Sequence, residues 1–253
     1  MNPFVRPHRS DDPDMRLFGF HHAGGSAAAY YPMIRELPQS WELLLLDLPG
    51  RGKRHGQQPL EHIDQVVGRA VADMEPWLDG RPVALFGHSF GALVALEVGR
   101  VLESMGRTPL WVGVSGRVPP SVRRVPKLSE LDDEQLMRAL VAMGGTPERL
   151  GDIPEFRDRF LGITRADLRA AESYEPDAGR APLSCPMTVF CGTDDAWAPL
   201  STMSGWAAET RIGTRQRVYG GGHFYFQGSR ELKRLTRDLV QEIQAVAPVT
   251  TEG

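Results

Sequence analysis

Long apolar runs, a secretory leader and blocks of one charge are all missing from this chain, and each absence closes off a class of protein. No run of about 18 consecutive apolar residues occurs, so no segment reads as a membrane span. The opening stretch MNPFVRPHRSDDPDM lacks the apolar centre of a signal peptide, which points to the cytoplasm. Its 29 Lys and Arg face 32 Asp and Glu for a net charge of −3, with no long tract of either sign at the ends, so nucleic acid is not an expected partner. Cysteine is scarce as well. Cys185 and Cys191, the only two, flank the strand-like PMTVF at a spacing that fits no common zinc or redox pattern, so free thiols and no bound metal are expected.

What is present is material for a large core: 253 residues, 41% of them hydrophobic, a size that suits one domain over 1–253. Apolar segments of strand length recur at 16–20 (RLFGF), 42–48 (ELLLLDL), 82–86 (PVALF), 109–115 (PLWVGVS), 186–190 (PMTVF) and 215–219 (RQRVY). Amphipathic stretches of helix length fall between and after them, among them 63–78, 90–105 and 230–246. Apolar strands alternating with helices predict an α/β fold, a mostly parallel sheet flanked by helices on both faces. The rhythm lapses between 117 and 181, where helical patterns at 131–143 and 154–174 stand without a strand. Interruptions of that length are usually functional, so a helical lid insertion is expected there.

The stretch VALFGHSFGALVALEVGR, residues 83–100, places Gly87-His88-Ser89-Phe90-Gly91 between a predicted strand and a predicted helix. Gly-x-Ser-x-Gly alone is a weak signal, but between strand and helix it has the arrangement of a nucleophile elbow. The glycines let strand and helix approach while the serine takes a strained turn at the helix N-terminus. A serine hydroxyl needs a base, and on this arrangement the chain order is serine, acid, histidine. Six of the seven histidines precede Ser89, which leaves His223, in VYGGGHFYF, as the candidate base. The acid should follow the strand PMTVF, where Asp194 and Asp195 stand side by side. Counting strand-Gly-x-x-Asp from Gly192 favours Asp195, a spacing similar to that of serine α/β-hydrolases; Asp194 would then cap the following turn, and the swapped assignment stays open. The oxyanion left by attack needs two N–H donors, expected from Phe90 and, in the loop FHHAGGSAAAY, from Ala23. That loop has neither the P-loop nor the dinucleotide glycine pattern, so no cofactor is expected.

Over about residues 16–245 the chain resembles the type II thioesterases that accompany polyketide and non-ribosomal peptide synthetases. FHHAGGSAAAYYPM, LDLPGRGKR, LFGHSFGALVALEVGRVL, SGRVPP, LDDEQLMRALVAMGGTPE, RADLRAAESYEP, CGTDDAWAP and GGHFYF look like that family's segments in order, with His21 where the family usually has proline. The resemblance implies an α/β-hydrolase fold and hydrolysis of acyl groups from the phosphopantetheine arm of an acyl or peptidyl carrier protein, as an editing step without a cofactor. Ser89 would attack, His223 would move the proton, and residues 117–181 would cover the acyl chamber. Met137, Leu140, Met143, Phe156, Phe160 and Leu161 are candidates for its lining or for the packing of the lid. A monomer is expected, and a stand-alone enzyme, since the chain ends soon after its last predicted helix. An acidic carrier surface would be met by Arg51, Lys53 and Arg54, or by Arg117, Arg123, Arg124 and Lys127. FYFQGS at 224–229 looks like a protease-tag remnant but lies inside the chain and reads as native. The rival readings are a serine esterase or lipase on small oxoesters, and a catalytically silent binding module of the same fold.

Overall fold

A computed structural model describes residues 3–122, 127–146, 153–177 and 179–247. Its seven strands are β1 (Phe4–His8), β2 (Met15–Phe20), β3 (Trp41–Leu46), β4 (Val83–His88), β5 (Trp111–Ser115), β6 (Met187–Gly192) and β7 (Thr214–Tyr219). They form one sheet in the order β1-β3-β2-β4-β5-β6-β7, parallel throughout except for β1, which pairs antiparallel with β3. The helices are α1 (Ile63–Met74), α2 (Phe90–Ser104), α3 (Asp133–Met143), α4 (Pro154–Glu172) and α5 (Ser229–Gln244), with ten-residue 3-10 segments at Ala27–Glu36 and Leu200–Glu209.

The apolar run of β3 shows why the sheet is covered on both faces. Successive strand side chains point opposite ways. Leu44 and Leu46 therefore enter one core with Val66 and Ala70 of α1 and Leu93 and Leu96 of α2. Leu43 and Leu45 enter a second core with Tyr30, Met33 and, from α5, Leu235 and Leu239. The six apolar segments read from the sequence all become strands. β1 was not among them: Arg6, Pro7 and His8 break the apolar pattern, and an edge strand tolerates both the polar residues and the proline. The helix predicted over 63–78 stops at Met74 and tightens into a 3-10 turn at Glu75–Trp77, because Pro76 cannot donate to the preceding turn.

Between β5 and β6 the described residues contain α3 and α4 and no strand of the sheet. Asp132 starts α3 with a capping box, accepting from the Gln135 N–H at 2.8 Å, and Gly144 closes it at φ 91°. Leu136, Leu140, Leu161 and Leu168 join Leu128 in a third core separate from the two on the sheet, with Met137, Met143 and Phe160 packed against it. Phe156 corrects an expectation. It lies one turn before Phe160 near the start of α4, beyond the end of this cluster, and is 62% exposed. No helix among the described residues is long and apolar enough to cross a membrane.

Candidate active site

β4 ends at His88 and α2 begins at Phe90, so Ser89 alone makes the turn. Its backbone sits at φ 55°, ψ −111°, and no other described non-glycine residue has a positive φ. The neighbours enforce this. A Cβ on Gly87 would overlap the Gly91 carbonyl, and one on Gly91 would overlap the Phe20 carbonyl at the end of β2. Strand, helix and the loop after β2 thus converge on one partly exposed serine, whose N–H donates to the Ser115 carbonyl at 2.7 Å. Phe90 opens α2, so its own N–H has no acceptor four residues back within the helix.

Histidine and acid come from two loops laced together. The Thr193 N–H donates to the Tyr219 carbonyl at 2.8 Å and the Asp194 N–H to that of Gly221 at 2.9 Å. A side chain on Gly192 would collide with the carbonyls of Gly221 and Gly222, so glycine there lets the loops close. The result sets His223 Nδ1 2.9 Å from Asp195 Oδ2, both side chains buried. Asp195 Oδ1 accepts from the N–H groups of Trp197 at 2.8 Å and Ala198 at 3.0 Å. Burial pushes the Asp195 carboxyl up, but the hydrogen bond and charge of His223, with those two N–H donors, hold it below the usual carboxylate value. Asp194 is exposed and accepts the Thr193 hydroxyl at 3.0 Å. The His223 ring lies 4.8 Å, centroid to centroid, from that of His88, the residue before Ser89.

Beneath these groups runs a buried relay that sequence reading missed. His88 Nδ1 is 2.8 Å from Ser115 Oγ, which is 2.6 Å from the Tyr225 hydroxyl. Burial carries the Tyr225 phenol well above its ordinary value, so the hydroxyl stays protonated. Tyr225 stacks on Tyr219 at 4.9 Å, and the Tyr219 hydroxyl donates to Asp238 of α5 at 2.7 Å. The segment carrying His223 is thereby tied to both the sheet and α5.

The loop after β2 carries Ala23, which packs against both the α1–α2 core and the α3–α4 core. His21 is buried with Nδ1 2.8 Å from the His22 carbonyl, a hydrogen bond that braces the start of this loop. Burial and the charge of Arg51 lower His21 well below the ordinary imidazole value. Burial, then the charges of His223 and Arg51, bring His22 to about 4. Both rings are neutral at pH 7.

Several basic residues expected to face a partner do not. Arg51, Arg54 and Arg117 are buried, with Arg51 held by Asp167 and Arg54 by Asp73. An arginine in a loop reads as a surface charge until its carboxylate partner, distant in sequence, is known. Lys53 and Lys127 are exposed, whereas Arg123 and Arg124 lie outside the described residues. Cys185 and Cys191 are free and buried; burial pushes the Cys185 thiol up to about 12, which leaves it unreactive at neutral pH.

A cavity of about 1130 Å³ opens beside the acid loop, lined by Val118, Pro119, Leu128, Leu168, Tyr174 and Trp197 among others. Leu128 and Leu168 belong to the α3–α4 core, but Met137, Leu140, Met143, Phe156 and Phe160 are not part of this lining.

Residues 15–242 match the family described as the thioesterase domain. The thioesterase PikA5 of Streptomyces venezuelae is 36% identical over 223 residues, spanning 87% of this chain and 78% of the relative. Among solved structures, RedJ, a thioesterase from the prodiginine pathway of Streptomyces coelicolor, superposes with a TM-score of 0.86 at 31% identity, covering 91% of each chain. BorB, a type II thioesterase from the borrelidin biosynthetic cluster, gives a TM-score of 0.84 at 31% identity, covering 95% of this chain and 97% of its own. The fold is that of the α/β-hydrolases, as these neighbours share it.

Proposed function

This chain belongs to the thioesterase-domain family, and on that premise we propose that it is a stand-alone editing enzyme of polyketide or non-ribosomal peptide assembly. It hydrolyses acyl groups from the phosphopantetheine arm of a carrier protein. The observation that carries the reading is the likeness, over nearly the whole of both chains, to a protein described as a type II thioesterase. The reading has the enzyme act in the cytoplasm, as a monomer, with the carrier as its partner.

The chemistry follows from the positions described. A proton on His223 Nδ1, donated to Asp195, leaves the Nε2 lone pair free to take the proton of Ser89 as its oxygen attacks the thioester carbonyl. Asp195 stabilises the resulting imidazolium and does not itself take the proton. The N–H groups of Phe90 and Ala23 receive the oxyanion, and the α2 N-terminus favours the same negative charge. Imidazolium then protonates the departing pantetheine sulfur, leaving an acyl ester on Ser89. Water, deprotonated by the same histidine, attacks that ester; as the intermediate collapses, the imidazolium gives the proton to the departing Ser89 oxygen and the free acid leaves. The cavity beside Trp197, walled by α4, takes the acyl chain, and α3 with α4 serves as the lid.

Intact-mass analysis of an acyl-loaded carrier protein tests this. The acyl mass should be lost with the wild-type enzyme and retained with Ser89→Ala, at a kcat/KM well above that for a nitrophenyl ester. A carrier that stays loaded while the ester is cleaved would transfer the assignment to a small-ester hydrolase; no turnover of either would favour a silent binding module.

A further inference from the structure

Asp167, in the second half of α4, is 1% exposed and sits against the loop that carries Ala23. Its Oδ2 accepts the Gly24 N–H at 2.8 Å. The same carboxylate receives a two-pronged guanidinium: Arg51 Nη1 donates to Oδ2 at 2.7 Å and Nη2 to Oδ1 at 2.8 Å. Arg51 Nη1 also reaches the Gly25 carbonyl at 3.1 Å. The peptide units that follow Ala23 are therefore fixed from α4 and from the loop after β3. On the other side, the His22 carbonyl accepts both the Gly25 N–H at 2.9 Å and the His21 ring. Ala23 is bracketed.

A second contact points the same way. Gly24 has φ +72°, and a Cβ there would overlap the Thr164 hydroxyl and press on the Phe160 ring, both on α4. The bare Gly24 backbone thus rests directly against the Thr164 and Phe160 side chains of this helix. A buried ion pair contributes little net stability compared with apolar residues of the same size, so its value here lies in orientation.

We propose that Asp167 and Arg51 are positioning residues that hold the Ala23 N–H toward the oxyanion, so that α4 is the backstop of the oxyanion hole as well as a cover over the site. The proposal rests on the reading of Ala23 as an oxyanion donor. Neither side chain touches substrate. Each acts through the 22–25 loop, and displacement of α4 would loosen the hole.

The test uses the full chain, an acyl-N-acetylcysteamine thioester as substrate and an alkylboronic acid, which forms a tetrahedral adduct on an active serine. Arg51→Met with Asp167→Leu removes both charges together and leaves no orphaned ion; Asp167→Asn keeps one acceptor for Gly24 but loses the fork to Arg51. The double variant strips the Gly24 N–H and the Gly25 carbonyl of these partners, so its urea midpoint should fall modestly; KM should stay within about twofold, while kcat falls about 30- to 100-fold, somewhat less than deletion of a whole donor. Boronate inhibition should weaken by the same factor, and Asp167→Asn should lose roughly three- to tenfold in both. A purely structural pair would lower the midpoint and leave kcat and boronate affinity of the folded enzyme unchanged, which would overturn the proposal. Should the double variant fail to fold, wild-type kcat and boronate affinity in Asp167→Asn overturn it equally. Ser89→Ala, run in parallel, separates the two levels: activity surviving there sinks the serine mechanism itself, whatever Asp167 does.

Discussion

His223 Nδ1 stands 2.9 Å from Asp195 Oδ2, while Asp194, one residue earlier, faces solvent. A single step along the acid loop separates a carboxylate that can hold the imidazole from one that cannot. If Asp195 sets the histidine tautomer, Asp195→Asn should lower kcat by about 10⁴, because an amide that presents its NH2 to Nδ1 favours the wrong tautomer. Asp194→Asn should stay within about twofold of wild type. Steady-state kinetics on one thioester checks both.

The serine turn depends on bare Cα atoms at Gly87 and Gly91. Alanine drives a methyl into packed backbone, that of the first turn of α2 from Gly87 and that of the end of β2 from Gly91, and should cost about 3 kcal/mol or more at either place. Gly68, on the exposed side of α1 with open space around it, is the control: Gly68→Ala should stabilise by about 0.5–1 kcal/mol through helix propensity. Urea unfolding of the three variants measures the contrast.

Acid should weaken the fold in the range set by the loop histidines. His22 is at about 4 in the folded chain against 6.5 unfolded, so below pH 6.5 the unfolded chain binds the proton that the folded one refuses. Stability attributable to His22 is complete above pH 6.5 and is lost as the pH falls toward 4. The loss is about 2 kcal/mol, short of the full linkage value because the residue keeps some contact with solvent, which screens part of the effect. His21, also lowered, adds to the same slope. Asp195, lowered among carboxylates, loses its contribution further down, as the pH passes below the usual carboxylate range. Urea midpoints should hold between pH 7.5 and 6.5 and then fall toward pH 4 in wild type, less steeply in His22→Gln.

The features legible in the sequence are those whose signal is local. Strands β2 to β7 announce themselves as strand-length apolar segments, unlike β1, α4 announces itself by its period, and Ser89 by two glycines placed between a strand and a helix. His223 follows from chain order, since it alone comes after the serine. What stayed hidden depends on residues far apart in the chain. Asp167 and Arg51 are 116 positions apart, and Ser115 and Tyr225 are 110 apart. No spacing rule links such pairs, and Arg51 and Arg54 look like ordinary surface charges until their carboxylates are found. Phe156 misleads for the opposite reason: it shares a helical face with Phe160, but the packed cluster ends before reaching it.

On the proposed mechanism the acyl group passes through Ser89. Rapid-quench mixing of enzyme with an acyl-loaded carrier, followed by mass spectrometry of the peptide that contains Ser89, tests it directly. A transient acyl adduct on Ser89 should rise as the carrier is unloaded, decay as free acid appears, and be absent in Ser89→Ala. Unloading of the carrier at the wild-type rate with no acylation of Ser89, or in the Ser89→Ala variant, would contradict it.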